Sequence, residues 1–142
     1  MYHVYSFKDH QVIVNFPPLG RYNLSENGLG RIGIAYSGDL ASMTTALDGS
    51  AIVNQHHSNS GSINLDIPQV GDANDYMDRW ANYCKKASSK EFAEAEITII
   101  DTATGKSIIA TGVAPQKHSD ITYDQDSQNR SWTLLAAEIE FQ

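Results

Sequence analysis

Between residues 62 and 67 every second side chain is apolar: Ile63, Leu65 and Ile67 alternate with Ser62, Asn64 and Asp66. Successive Cβ atoms of an extended chain point to opposite faces, so a period of two predicts a strand with one face buried. The same alternation sets Ala93, Ala95, Ile97 and Ile99 against Glu94, Glu96 and Thr98. It recurs near the end, where Ala137, Ile139 and Phe141 face away from Glu138 and Glu140. Residues 2–7 and 11–16 read as two further strands around a Lys8-Asp9-His10 turn, with Val12, Val14 and Phe16 on one face. Pro17-Pro18 ends that ladder because proline has no N–H to donate, and residues 17–30 then form a long polar loop.

Ile32, Ile34 and Tyr36 alternate with small residues up to a turn at Ser37-Gly38-Asp39. Met43, Thr45 and Leu47 lead to Asp48-Gly49, a type I′ hairpin signal, and Ala51, Val53 and Gln55 return antiparallel. A polar loop at 56–61 precedes the strand at 62–67, which Pro68 stops. Ala73, Tyr76, Met77, Trp80, Cys84 and Ala87 then recur at helical spacing. Asp72 and Asp75 at one end and Lys85 and Lys86 at the other suit the helix dipole, so residues 72–87 are predicted as the one helix. Strands at 92–101 and 106–113 flank Thr102-Ala-Thr-Gly105, and a polar stretch leads into the last strand, 131–141. The pattern predicts a mainly β protein, an antiparallel β-sandwich or barrel with one α-helix, in a single domain over residues 1–142.

Composition sharpens this. A chain of 142 residues with 41% hydrophobic and 19% charged residues is an ordinary folded domain. Seventeen Asp and Glu against ten Lys and Arg leave a net charge of -7, the wrong sign for tight binding to nucleic acid. The same sign suits a surface that DNA slides past without sticking. Cys84 is the only cysteine, so no internal disulfide is expected, and helical spacing places it in the core as an inert thiol. MYHVYSFKDH lacks the features of a secretory signal and no apolar run is long enough to span a bilayer, which predicts synthesis in the cytoplasm and no membrane insertion.

Catalytic and metal motifs dissolve on inspection. Gly28-Leu-Gly30-Arg-Ile-Gly33 matches G-x-G-x-x-G, but a polar loop precedes it and a strand pattern follows, where a dinucleotide site needs strand, turn and helix. His56 and His57 are adjacent and would face opposite ways on a strand, and His3, His10 and His118 show no ligand spacing. The acidic run at 120–126 lacks the central glycine and final glutamate of a calcium loop, and no G-x-S-x-G elbow exists. Trp80 and Trp132 fall on core faces. Enzyme activity, metals and cofactors are not expected.

The order of features carries a resemblance. Tyr5-Ser-Phe-Lys-Asp9 opens onto a strand, followed by a Gly-rich loop, the Met43-Thr-Thr45 strand turning at Asp48-Gly49, the helix, and a closing Ser131-Trp132-Thr133 strand. This resembles the tail-tube proteins of contractile-tailed bacteriophages, small β-sandwiches with one helix that stack as hexameric rings. The resemblance implies a structural subunit that polymerises with itself around a tape-measure protein, within a sheath, and meets baseplate or tail-tip and terminator proteins. It implies a virion tail location after assembly in the host cytoplasm, with only transient, non-specific passage of DNA at ejection. Adjacent subunits would complete one barrel around a channel. Ser42, Thr44, Ser50 and Asn54, with Asp39 and Asp48 nearby, suit its lining because they offer DNA neither cations nor apolar grip. Ring stacking would fall to the long loops, through Arg21, Asn23, Glu26, Asn27, His56 and His57. Two alternatives stand beside this reading: the ring-forming tube of a contractile secretion or injection machine, and a carbohydrate-binding β-sandwich using Trp132 or Tyr123.

Overall fold

The structure is a computed structural model that describes residues 2–25 and 28–141. Alternation at Val12, Val14 and Phe16 builds β1 (His10–Phe16), and all three side chains are buried. Removing each from water is worth about 1.5–3 kcal/mol. The other strands are β2 (Gly20–Asn23), β3 (Arg31–Tyr36), β4 (Ala41–Thr45), β5 (Ala51–Gln55), β6 (Gly61–Pro68), β7 (Ala95–Asp101), β8 (Ser107–Pro115) and β9 (Asn129–Phe141). The helix α1 covers Ala73–Lys86, within the span its periodicity predicts.

Seven strands form one antiparallel sheet in the order β2-β1-β7-β8-β9-β6-β3, and β4 and β5 form a separate ribbon. The sheet curls on itself, since Ile32 and Ile34 of β3 share a cavity wall with Ile99 of β7 and Ile108 of β8, strands that are not its neighbours. The concave face holds the core, and α1 lies against it. Phe16 packs on Trp80 and Tyr83 at 5.9 and 5.4 Å between ring centroids, and Asn74 accepts a hydrogen bond from Trp132 Nε1 at 3.1 Å. Trp80 and Trp132 are both core residues, as their spacing predicts. Cys84 is buried beside them, and desolvation raises its thiol pKa.

One charge lies inside this core. Arg130 is 5% exposed and forks onto Asp78 of α1 at 2.8 and 2.9 Å, with His118 Nε2 3.1 Å from the same carboxylate. Its guanidinium sits 4.9 Å from the Trp132 ring centroid. The fork ties the helix to the last strand, because without Asp78 the buried guanidinium of Arg130 would lose the carboxylate that balances it.

Four sequence expectations are corrected. Residues 2–6 form no strand, and the expected turn is a 3-10 segment, Phe7–Asp9, that turns Phe7 toward the core. Alternation there found no neighbouring strand to complete a ladder within the chain. The predicted loop at 17–30 contains β2, which pairs with β1; Tyr22 stacks on Tyr76 at 4.9 Å, the Tyr76 hydroxyl donates to the Gly20 carbonyl, and Leu24 is buried. Residues 91–93 are a turn rather than the start of a strand, so β7 begins at Ala95.

The fourth concerns the final strand. Trp132, Leu134 and Ala136 face the core, then the phase slips and Ile139 is buried while Ala137 and Phe141 are exposed. The cause is a bulge in β8: Ala95 pairs with Val113 but Ile97 with Ala110, leaving Gly112 at φ +64°. Across the next ladder Val113 faces Ala136 and Ala110 faces Ile139, so β9 shares the slip. A bulge of this kind needs a residue tolerant of positive φ.

Two stability tests follow. A Cβ at Gly112 would lie 2.7 Å from that of Ala137, whereas one at Gly105, also at positive φ, meets nothing within 4 Å. Gly112→Ala should therefore lower unfolding free energy by about 2–4 kcal/mol, and Gly105→Ala by only about 1 kcal/mol, in denaturant titrations. Asp78→Ala should cost about 2–3 kcal/mol in the same assay, below the range for a fully enclosed pair because Asp78 keeps 31% of its side chain in water.

Candidate functional site

The β4–β5 ribbon is the pair of strands that the described residues leave uncovered. It is the far end of an arm that begins with β3 and β6. Tyr36 pairs with Gly61 and Ala41 with Gln55, so four residues on the outgoing strand (37–40) face five on the return (56–60). That mismatch interrupts the ladder and sets the ribbon apart from the sheet. The stem is held by the Ser37 N–H to the Ser60 carbonyl at 3.0 Å and by the His56 N–H to the Leu40 carbonyl at 2.9 Å.

Among the described residues, none beyond the stem buries either face. All five residues of β4 are exposed, and of β5 only Asn54 is partly covered. Register sorts the side chains into two sets. Met43 lies opposite Val53, with Ala41, Thr45, Ala51 and Gln55 on the same face; Ser42 lies opposite Asn54 and Thr44 opposite Ile52 on the other. Met43 and Val53 are 68% and 65% exposed, so one face is an apolar strip in water. The other is mainly small and polar.

The turn differs from its predicted form. The Gly49 N–H donates to the Ala46 carbonyl at 2.9 Å, and Gly49 alone in the turn has positive φ, at +89°. A type I′ turn would need positive φ at Asp48 as well. The observed arrangement is a type I turn closed by a glycine bulge, the common longer hairpin connection. Asp48 Oδ1 accepts from the Ser50 hydroxyl at 2.6 Å and from the Ser50 N–H at 2.9 Å.

The residues expected to line a channel separate as follows. Ser42 and Asn54 come together, with Asn54 Nδ2 3.4 Å from Ser42 Oγ, and Thr44 shares their face. Asp48 and Ser50 close the tip, and Asp39 is exposed in the stem. Of the residues expected to stack rings, His56 has its Nε2 3.0 Å from Ser42 Oγ of the ribbon. His57 is exposed in the stem, Arg21 is exposed on β2, and Asn23 accepts from Ser25. Glu26 and Asn27 lie outside the described residues. Sequence reasoning missed Met43, Val53, Ile52 and Leu47 as surface residues. Their alternation reads as half-buried, and no local signal distinguishes a face covered by its own chain from one left for another.

A thin, two-faced ribbon thus stands beside a curled sheet and one helix, with one apolar face in water. Residues 2–142 match the family model described as Bacteriophage PhiTE tail tube protein, and the chain belongs to that family. It is a tube-forming structural protein. No curated protein sequence matches it. Among solved structures, a chain of an extracellular contractile injection system, the PVC sheath–tube complex in its extended state, is similar at TM-score 0.66 and 15% identity, over 100% of this chain and 93% of that one. A chain in the baseplate of the anti-feeding prophage gives TM-score 0.69 at 8% identity, over 100% and 97%. A chain of the PVC sheath/tube terminator gives 0.63 at 16%, over 100% and 98%. At these identities the likeness is one of fold.

The Asp48 cap generates a pH test. Hydrogen bonds from the Ser50 hydroxyl and N–H hold the Asp48 carboxyl below its ordinary pKa. A carboxyl lowered on folding supports the turn above its unfolded value and loses that support as pH falls through the folded one. The Ser50 amide resonance should shift with a midpoint below that of a free aspartate, and Asp48→Asn should abolish the step.

Proposed function

We propose that this protein forms the inner tube of a contractile machine, with copies joined edge to edge into closed rings of six that stack into a hollow shaft. The observation that carries the reading is the β4–β5 ribbon. A two-stranded hairpin is marginal in water, and this one exposes apolar side chains on one face and leaves the outer backbone edges of both strands unpaired in the chain. A neighbouring copy that adds its own strands satisfies both demands at once. Because the ribbon and the surface it meets lie on different parts of the molecule, the contact is heterologous and closes a ring when the rotation allows.

Within that ring the Met43–Val53 face packs against protein and the face with Ser42, Thr44 and Asn54 looks into the channel, with Asp39, Asp48 and Ser50 at its margins. Apart from Ile52 and the His56 ring beside Ser42, the lining is of small neutral and acidic groups without Lys or Arg, which gives a polyanion little to hold, in keeping with the net charge of -7. The loop residues Arg21, Asn23, His56 and His57, with Glu26 and Asn27, are the candidates for ring stacking. Partners on this reading are a surrounding sheath, a baseplate or tail tip, a terminator and a tape-measure protein, with the assembled tube part of a virion tail built in the host cytoplasm and DNA passing through at ejection. The structural likenesses to contractile injection systems favour a second reading, in which the same tube serves such a machine and carries a different cargo.

Electron microscopy separates assembly from folding. Met43→Asp with Val53→Asp should leave circular dichroism and thermal unfolding close to wild type, since neither side chain touches the core, yet abolish the hollow tubes seen with wild-type protein. Thr44→Lys with Asn54→Lys should still give tubes. Tubes from the Asp pair, or a wild type that remains monomeric at high concentration, would refute the reading.

A further inference from the structure

Leu47 is 109% exposed, more than any other large apolar side chain among the described residues. It occupies the first central position of the type I turn at the ribbon tip, where proline and polar residues satisfy the local geometry better. Neither turn chemistry nor the core accounts for a leucine there.

At the other end of the ribbon, where the stem leaves the sheet, lies a groove of about 380 Å³ lined by Tyr36, Gly38, Leu40, Ser58, Asn59 and Phe141. Its apolar walls are open to water: Tyr36, Leu40 and Phe141 are 46%, 73% and 66% exposed. The molecule therefore carries an apolar knob and an apolar hole at separate places. Its own knob cannot reach its own hole, because the five residues of β4 hold the tip about 17 Å from the root at roughly 3.3 Å per residue.

We propose that Leu47 of one copy seats in the Tyr36–Leu40–Phe141 groove of the next copy around the ring. The inference rests on the reading that copies join through the ribbon, and it names where the tip docks. A second copy is the fitting occupant because the chain belongs to a tube-forming family and each copy brings one knob and one hole. In a closed ring every knob then finds a hole and none is left over. The groove is also continuous with the ribbon interface: Leu40 forms its wall, directly precedes β4, and accepts the hydrogen bond from His56 that closes the stem. Seating the tip there extends one contact along the whole length of the ribbon.

Cysteine pairing tests the contact. A disulfide needs Cα atoms within about 7 Å, so Leu47→Cys with Phe141→Cys cannot bridge within one chain and can bridge between docked copies. Mild oxidation of assembled tubes should give a non-reducing ladder of dimers and higher multiples up to the full ring, absent from each single variant and from unassembled protein. Leu47→Cys with Leu40→Cys should behave alike; Cys84 is buried and stays out of the reaction. In a second measurement free of engineered thiols, Leu47→Ser and Leu40→Ser should each raise the critical concentration for polymerisation about tenfold, and the double variant by little more than either. Tubes of normal yield without cross-links from either cysteine pair, or serine effects that multiply as independent sites, overturn the contact while leaving the tube reading in place. Failure of the wild type to polymerise removes the tube reading itself, and the contact with it.

Discussion

Backbone hydrogen bonding at open strand edges is the constraint on which the structure turns. Every N–H and C=O taken from water must find a partner; in the seven-stranded sheet the ladders meet most of that demand, and β2 and β3 are the edge strands. The β4–β5 ribbon meets it least, being two strands with two free edges. A monomeric protein would shorten such a ribbon, charge it or cover it. Here its two five-residue strands carry no charge and present one apolar face, the edge and face that the proposed contact with a neighbouring copy would use.

The rest of the fold holds that ribbon out. The curled sheet and α1 enclose a core anchored by Phe16, Trp80 and Trp132, and the Arg130–Asp78 fork locks the helix to the longest strand. In the proposed ring a rigid body matters, because any error in the angle between body and arm would repeat at every joint. Gly112 acts at a distance: its bulge shifts the phase of the second half of β9, so Ile139 rather than Glu138 enters the core and Phe141 is left at the groove beside the stem.

Much of this was legible in the order of side chains. The helix, the core faces of β1, β6 and β7, both tryptophans and the hairpin turning near Asp48-Gly49 follow from periods of 3.6 and 2.0, since burial on one side leaves that imprint. Other features were not. Residues 2–6 carry strand alternation yet form no strand, and Gly20–Asn23 carry turn residues yet do, because a strand exists only where a partner edge stands beside it. The slip in β9 originates in a glycine on β8, which a scan along β9 cannot see. Arg130 reads as one more surface charge until Asp78, far off in sequence, arrives opposite it.

Periodicity by itself determined the class of fold, the elements and the faces that avoid water, because these depend on neighbours along the chain. Family likeness in the order of those elements determined that the protein builds tubes. Tertiary structure alone decided which avoided faces are covered at home and which are left bare. Met43 and Val53 follow the same pattern as Ile63 and Leu65, but the latter meet the helix-capped core and the former meet only solvent. The difference lies in what the folded chain places opposite each strand, a long-range property that no local pattern of residues encodes.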